Sequence, residues 1–378
     1  MSQAVSNNHR NLEIEVLRAV AVMFVIIHHY PALLGTPDPG IYRWVEGLWS
    51  GVDLFFCISG YVIARGLLPV LASARGAEFW VEVVRFWIRR WYRIIPAAWL
   101  WIAALGIVNY SLVLHGDRVF FSDAISAVLH YANLHFYSCT VGFSNACQHL
   151  HMYWSLSLEE QFYLLLPISI WIFRKWFPLF IALVIAFQLP VARDHWSGLL
   201  SFIRTDAIAF GVLLAIYKES RFLKWAEPGI LGKIRFPVLA IGLVAALVLM
   251  KPLGWTRNPV GFAAVASMLL VWLASYEKGY VLPDGWLRHA LQKVAARSFS
   301  LYLGHIVAFA LARRGVMRLW PSVSDASFVG GLVFVLVGGL VLFLLVELSY
   351  RWVEAPWRRK GHAVADRFSG LGPARALQ

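Results

Sequence analysis

Residues 12–30 read LEIEVLRAVAVMFVIIHHY, an apolar run that nevertheless holds Glu15, Arg18, His28 and His29. A helix that crosses the hydrocarbon layer needs about 20 mostly apolar residues, and this run supplies them. PALLGTPDPG follows at 31–40 in place of a small-residue cleavage site, so the run reads as a retained helix rather than a leader. Outward from it the pattern repeats. Apolar segments at about 48–68, 94–114, 159–173, 177–191, 199–217, 236–250, 259–276, 298–312 and 328–350 bring the candidates to ten, punctuated by prolines such as Pro31, Pro178, Pro237, Pro259 and Pro321. The sequence therefore predicts an all-α polytopic membrane protein with about ten transmembrane helices in one bundle. A short N-terminus at 1–11 precedes the membrane domain at 12–359, and a basic tail occupies 360–378.

Composition agrees with that prediction. Of 378 residues 60% are apolar and 15% charged, too little polar surface to clothe a soluble domain. The formal charge of +13 would suggest nucleic acid in a soluble chain, but in a membrane protein basic residues are first topology signals, so no nucleic-acid partner is expected. With the N-terminus cytoplasmic, 24 of the 34 Lys and Arg fall on that side and nine on the other, with Arg18 inside the first span. The bias places both termini in the cytoplasm, although Arg313, Arg314 and Arg318 run against it. The long outer segment at about 115–158 contains FFSDAISAVLHYANLHF, read as an interfacial or re-entrant helix. As a full span it would reverse every later loop.

Cys57, Cys139 and Cys147 form no C-x-x-C and no Cys/His ligand cluster, so no metal is expected. Seven residues separate Cys139 from Cys147, which permits a local disulfide on an oxidising side or leaves two free thiols.

Charges at membrane depth cost at least about 2.5 kcal/mol each and by default mark a site. Arg18 and His29 are eleven residues apart, which brings a helix round to within about 20° and about 16 Å along its axis, so they share a face. His28 points some 80° away, and Glu15, three residues before Arg18, is placed to pair with it. Asp53 lies early in GLWSGVDLFFCISGYVIARG, where Ser59-Gly60 allows close helix approach. In RFWIRRWYRIIP, Arg90 and Arg93 face one way with two guanidinium forks, which suits phosphate; a positive-inside stop with an aromatic belt accounts for the same residues. Glu159 and Glu160 open the helix of HMYWSLSLEEQFYLLLP, where an ordinary N-terminal cap explains them equally. Arg204 and Asp206 begin another span, and Tyr302 and His305 lie three apart in SFSLYLGHIVAF; an interfacial role suits these four as well.

These pieces, taken in order with RTDAIAFGVLLA and a terminal ELSYRWVEAPWRR, resemble the integral-membrane acyltransferase family 3 from about Leu12 to Arg359. Glu15 stands where that family usually has Asp, and Gly304 where it often has Trp. The resemblance implies an enzyme that takes an acyl group, usually acetyl from cytoplasmic acetyl-CoA, and esterifies a hydroxyl on a glycan, a lipid-linked sugar or another acceptor. It implies the bacterial cytoplasmic (inner) membrane as location. Membrane lipids and acyl-CoA are the expected partners, with acyl-CoA a co-substrate and no permanently bound cofactor.

By position, Arg18 and His29 match the family's Arg-x10-His motif, Arg90 and Arg93 its Arg-x-x-Arg motif, and Glu159 the acidic position after W-S-L. About 28 residues follow the last span, which suggests the stand-alone form without an extra periplasmic domain. In that chemistry His29 is the base, or itself carries the acyl group, with Glu159 or Glu160 orienting the imidazole. Arg18 and Asp53 complete the catalytic set, Arg90 and Arg93 grip the phosphates of CoA, and Tyr302, His305, Arg204 and Asp206 contact the acceptor. The rival is a proton-coupled carrier of an anion, which also needs buried Arg, His, Asp and Glu, but the halves show no inverted repeat.

Overall fold

The computed structural model describes residues 11–34, 43–109, 117–144, 147–194, 198–229, 237–321 and 328–368, and no strand occurs among them. Helix α1 spans Leu12–Leu34. A 3-10 turn at Glu46–Ser50 leads into α2, Gly51–Ser73, followed by α3, Ala77–Val108. Two short helices come next, α4 at Arg118–Val128 and α5 at Ala132–Thr140, before α6 at Tyr153–Phe173 and α7 at Phe177–Gln188. The chain continues through α8, Leu199–Phe202, and α9, Asp206–Tyr217, then α10, Arg221–Trp225, α11, Val238–Leu249, and α12, Pro259–Ala274. It closes with α13, Trp286–Ala296, α14, Ser298–Leu319, α15, Phe328–Ser349, a π turn at Tyr350–Glu354 and α16, Ala355–Phe368.

Each of the ten apolar segments contains helix, and by length and composition four stretches are able to cross a membrane: Arg43–Ser73, Ala77–Val108, Tyr153–Gln188 and Val329–Phe368. A fifth is the pair α13–α14, bent by 71°; α9, α11 and α12 are apolar but shorter. The protein is thus an integral membrane protein of helical architecture.

Several boundaries depart from expectation; α6 starts at Tyr153 rather than 159, so Glu159 and Glu160 lie well inside it and not at its N-terminal cap. Helix α3 starts at Ala77, well before the expected 94, because RFWIRRWYRIIP continues the helix with Arg85, Arg89, Arg90 and Arg93 half-buried, and Pro96 sits inside it. The expected span at 199–217 is broken between Phe202 and Asp206. Unwound backbone at this depth needs partners, and Gln188 supplies them: its Oε1 accepts from Thr205 N (2.9 Å) and its Nε2 donates to Thr205 Oγ1 (2.9 Å). The break brings Arg204 into the core.

The expected tail from 360 is helical to Phe368 and docks on α3. Arg85 pairs with Asp366 at 2.9 Å, and Gly361 lies so close to Tyr92 that a Cβ there would meet the Tyr92 Cβ at 2.5 Å.

Close approach also fixes the centre of the bundle. A Cβ on Gly60 would fall 2.1 Å from the Ile208 carbonyl oxygen, and one on Gly211 2.1 Å from that of Cys57, so α2 and α9 cross backbone to backbone. The start of α1 is tied down by Asn11, whose Oδ1 accepts from Glu13 N and Ile14 N, both at 3.0 Å, while its Nδ2 donates to Ala274 O. Buried Glu13 accepts from Gly279 N and Val281 N, joining that start to the segment after α12.

The segment expected to be interfacial or re-entrant is the α4–α5 pair. Asp123 clips it: its Oδ1 meets His135 Nε2 at 2.8 Å, and its Oδ2 accepts from Gln148 N (3.0 Å) and His149 N (2.7 Å). Cys139 and Cys147 are joined by a disulfide, the first of the two alternatives the spacing allows. Asp123, His135 and Cys147 bring ligand atoms within 4.8 Å of one another. The sulfur is spent in the bridge and has no thiolate to offer a metal, so the cluster serves as a clip.

Candidate active site

Two cavities meet inside the bundle. The first, an open cleft of about 810 Å³, is lined by Arg18 from α1, Ser59 from α2, Arg90 and Arg93 from α3, Glu159 and Tyr163 from α6, and Tyr302 from α14. The second, of about 460 Å³, is lined by His28 and His29 from α1, Trp49, His151, Trp154, Arg204 and the same Tyr302. Val52 and Tyr302 line both, so a single layer of side chains divides them.

In the first cavity Arg18 pairs with Glu15 at 2.6 Å, as the three-residue spacing predicts. Glu159 accepts from Ser59 Oγ and Tyr163 OH, and these two hydroxyls lie 2.7 Å apart. The Arg90 guanidinium lies over the Tyr163 ring (5.0 Å) and the Phe86 ring (5.8 Å). Neither Arg90 nor Arg93 has a carboxylate partner among the described residues, so two half-buried forks face the cavity with their donors uncommitted. Glu160 lines neither cavity.

In the second cavity backbone carbonyls select the histidine tautomers. His305 Nδ1 lies 2.8 Å from Tyr302 O, which only accepts, so Nδ1 carries the proton and Nε2 the lone pair. His29 Nδ1 lies 2.8 Å from Val25 O and 3.3 Å from His305 Nε2, both acceptors, and so carries its proton too. The lone pair of His29 is left on Nε2, in the ring that lines the cavity. Beside the His29 ring stands fully buried His305, whereas Glu159 is engaged by Ser59 and Tyr163 in the first cavity. His28 Nδ1 faces Val45 O at 3.3 Å, and its ring still borders the cavity.

Asp53, Asp206 and Arg193 line neither cavity; they form a sealed support beneath Arg204. Arg193 Nη2 donates to Asp206 Oδ2 at 2.5 Å, and Arg204 Nε faces Asp53 Oδ1 at 3.4 Å, with all four side chains nearly inaccessible. The Arg204 guanidinium lies between the Trp154 ring (4.7 Å) and the Trp49 ring (5.1 Å), which fixes its plane. Tyr302 OH lies 2.5 Å from Ser155 Oγ and donates to Met152 O at 3.0 Å, so the dividing ring is held in place.

Sequence reasoning missed Ser59, Tyr163, Ser155, His151 and Arg193. Tyr163 carried a usable signal, since it lies four residues after Glu159 and therefore on the same helical face. At Gly304, Trp101 from α3 fills the space: a Cβ there would meet its Cζ2 and Cη2 at 2.7 Å.

The fold and site thus define a helical bundle with an arginine pair and a histidine in adjoining cavities. The acyltransferase family 3, described as an acyltransferase domain, matches residues 11–348, and the chain belongs to that family. The peptidoglycan O-acetyltransferase OatA of Listeria monocytogenes is 27% identical over 92% of this chain and 56% of its own length. The O-acetyltransferase OatA of Staphylococcus aureus is 28% identical over 91% and 57%, and a putative O-acetyltransferase of the same species 25% identical over similar shares. The chain thus spans little more than half the length of these curated relatives. No solved structure matches it.

Proposed function

We propose that the protein is a membrane O-acyltransferase that moves an acyl group, acetyl in the first instance, from cytoplasmic acyl-CoA to a hydroxyl of a glycan or glycolipid. The observation that carries this is the meeting of the two cavities at Val52 and Tyr302. On one side Arg90 and Arg93 offer uncommitted forks to the CoA phosphates, as a planar guanidinium does best. On the other, His29 Nε2 accepts the proton of the attacking hydroxyl, whose oxygen bonds to the thioester carbonyl carbon. As the tetrahedral adduct collapses the C–S bond breaks, and the CoA sulfur leaves with the proton that His29 returns. His305 shares the His29 Nδ1 proton and keeps the ring in the tautomer that does this. Relatives named for O-acetylation, one of peptidoglycan, support a glycan acceptor. The bias of 24 basic residues to nine supports ten spans, both termini in the cytoplasm and residence in the bacterial inner membrane, with the arginine cavity facing the cytoplasm.

His29→Ala tests the assignment against its neighbour. Removing a general base costs about 10²–10⁴-fold in rate, so acyl transfer in purified membranes should fall by that factor while insertion and donor binding persist. His28→Ala should retain most activity. Equal losses from the two would point to the packing of α1, and full activity in His29→Ala would remove the base. An acyl mass on His29 after incubation with donor alone would replace direct attack by a covalent route.

A further inference from the structure

Helix α2 faces the reaction cavity through Ser59. Leu68, nine residues on at about 100° each, points the opposite way. On that far side lies a groove of about 2150 Å³ between the end of α2, the start of α3, the α6–α7 junction and the end of α9. Leu68, Phe79 and Trp171 give it an apolar lining, while Arg65, Arg75, Arg174, Lys175 and Lys218 converge on it from four separate segments. Glu219 is the one acid in its lining, and it pairs with Lys224. Arg65 faces Glu277 at 3.4 Å and Lys175 lies over the Trp176 ring, but Arg75, Arg174 and Lys218 have no ion pair among the described residues.

A topology signal accounts for basic residues at helix ends. It does not account for five of them ringing one apolar groove with a single, already paired acid. We propose that this groove binds an anionic phospholipid, its headgroup phosphate among Arg75, Arg174 and Lys218 and its acyl chains along Leu68, Phe79 and Trp171. Each half of the ligand matches one half of the lining: cations near a membrane surface attract anionic headgroups, and apolar side chains replace the lipid's own neighbours. Burial, with Arg65 beside it, lowers the pKa of Lys218 from its ordinary value, while Glu277, Glu219 and Glu13 oppose the shift. The site stands apart from the acyl-transfer reading, because it lies on the opposite face of α2 and uses none of the residues assigned to chemistry.

The test is native mass spectrometry of the full chain in non-ionic detergent with added phosphatidylglycerol or phosphatidylcholine. Phosphatidylglycerol should be retained preferentially and released by salt. Arg75→Ala with Arg174→Ala, at two exposed positions that leave the fold intact, should weaken it by about fivefold per cation removed. Arg75→Lys should keep binding, and Arg358→Ala with Arg359→Ala, outside the groove, should leave it unchanged. Equal retention of the two lipids, equal loss in the control variant, or equally tight binding of glycerol phosphate without acyl chains would each overturn the proposal, the last in favour of a free-phosphate site.

Discussion

Two pairs of arginines sit in this bundle under opposite conditions. Arg193 and Arg204 are almost inaccessible, each opposite an aspartate, with Arg204 further clamped between two indoles at the wall of the second cavity. Arg90 and Arg93 are half-buried beside an open cavity, one resting on aromatic faces and neither matched to a carboxylate. A cation whose counter-charge is supplied by the fold holds structure. Arg90 and Arg93 sense Glu159, Glu160 and Glu354 only through space and form no ion pair among the described residues.

The sharpest way to break this distinction is to remove the acid from the buried pair. Asp206→Ala leaves the Arg193 guanidinium buried and uncompensated, at a cost of about 3–5 kcal/mol. Thermal unfolding in detergent should show a large drop, whereas Arg90→Ala and Arg93→Ala should unfold close to wild type. Comparable drops in both pairs would erase the difference.

The open pair should instead answer in donor use. Each charged hydrogen bond lost to phosphate is worth about 1.5–3 kcal/mol, so either alanine variant should weaken acyl-CoA binding by about ten- to a hundredfold. Lysine at either position should recover part of the loss, because it brings the charge without the fork. Unchanged binding of CoA by the folded double alanine variant would make the cluster a topology signal and nothing more.

A smaller effect is expected where α14 packs on α3 beside the open pair. Gly304→Ala drives a methyl into the Trp101 ring and should cost about 1–3 kcal/mol by overpacking. Combining it with Trp101→Phe, which makes room, should restore part of the unfolding temperature. Strictly additive losses would show that the two positions do not share the space.

The smallest effect belongs to an ion pair at the edge of the bundle. Hydrogen bonds from Lys278 Nζ (2.5 Å) and Tyr280 OH (2.8 Å) hold the Glu227 carboxyl below its ordinary range. A lowered folded-state value means the contribution is present above the unfolded value and fades as pH falls through the folded one. Protection from hydrogen exchange in 223–229 and 276–281, corrected for the intrinsic rate at each pH, should therefore fall on acidification in wild type and be less pH-dependent in Glu227→Gln.

What the sequence disclosed follows the same division. Charges inside apolar runs are conspicuous, so Arg18, His29, Arg90, Arg93 and Glu159 stand out from the chain by hydropathy and spacing alone, as do the ten apolar segments. Hydroxyls are ordinary in apolar helices, and nothing in the chain marks Ser59 or Ser155 as cavity residues. Partnerships were out of reach: Arg193 with Asp206 joins two segments across a break that hydropathy reads as continuous, because Ile203 and Thr205 do not interrupt an apolar average. That His305, and not Glu159 or Glu160, stands beside His29 was likewise hidden, because sequence distance gives no information about which helices face one another.

The layer formed by Val52 and Tyr302 has a consequence for the membrane as an insulator. A pore that let acyl groups pass would also let protons pass and would discharge the cell's electrical gradient. Here the two cavities approach each other yet share a wall of Val52 and the Tyr302 ring, whose hydroxyl is engaged by Ser155 and the Met152 carbonyl. On the proposed reading, the donor and acceptor sides are parted by no more than that one layer.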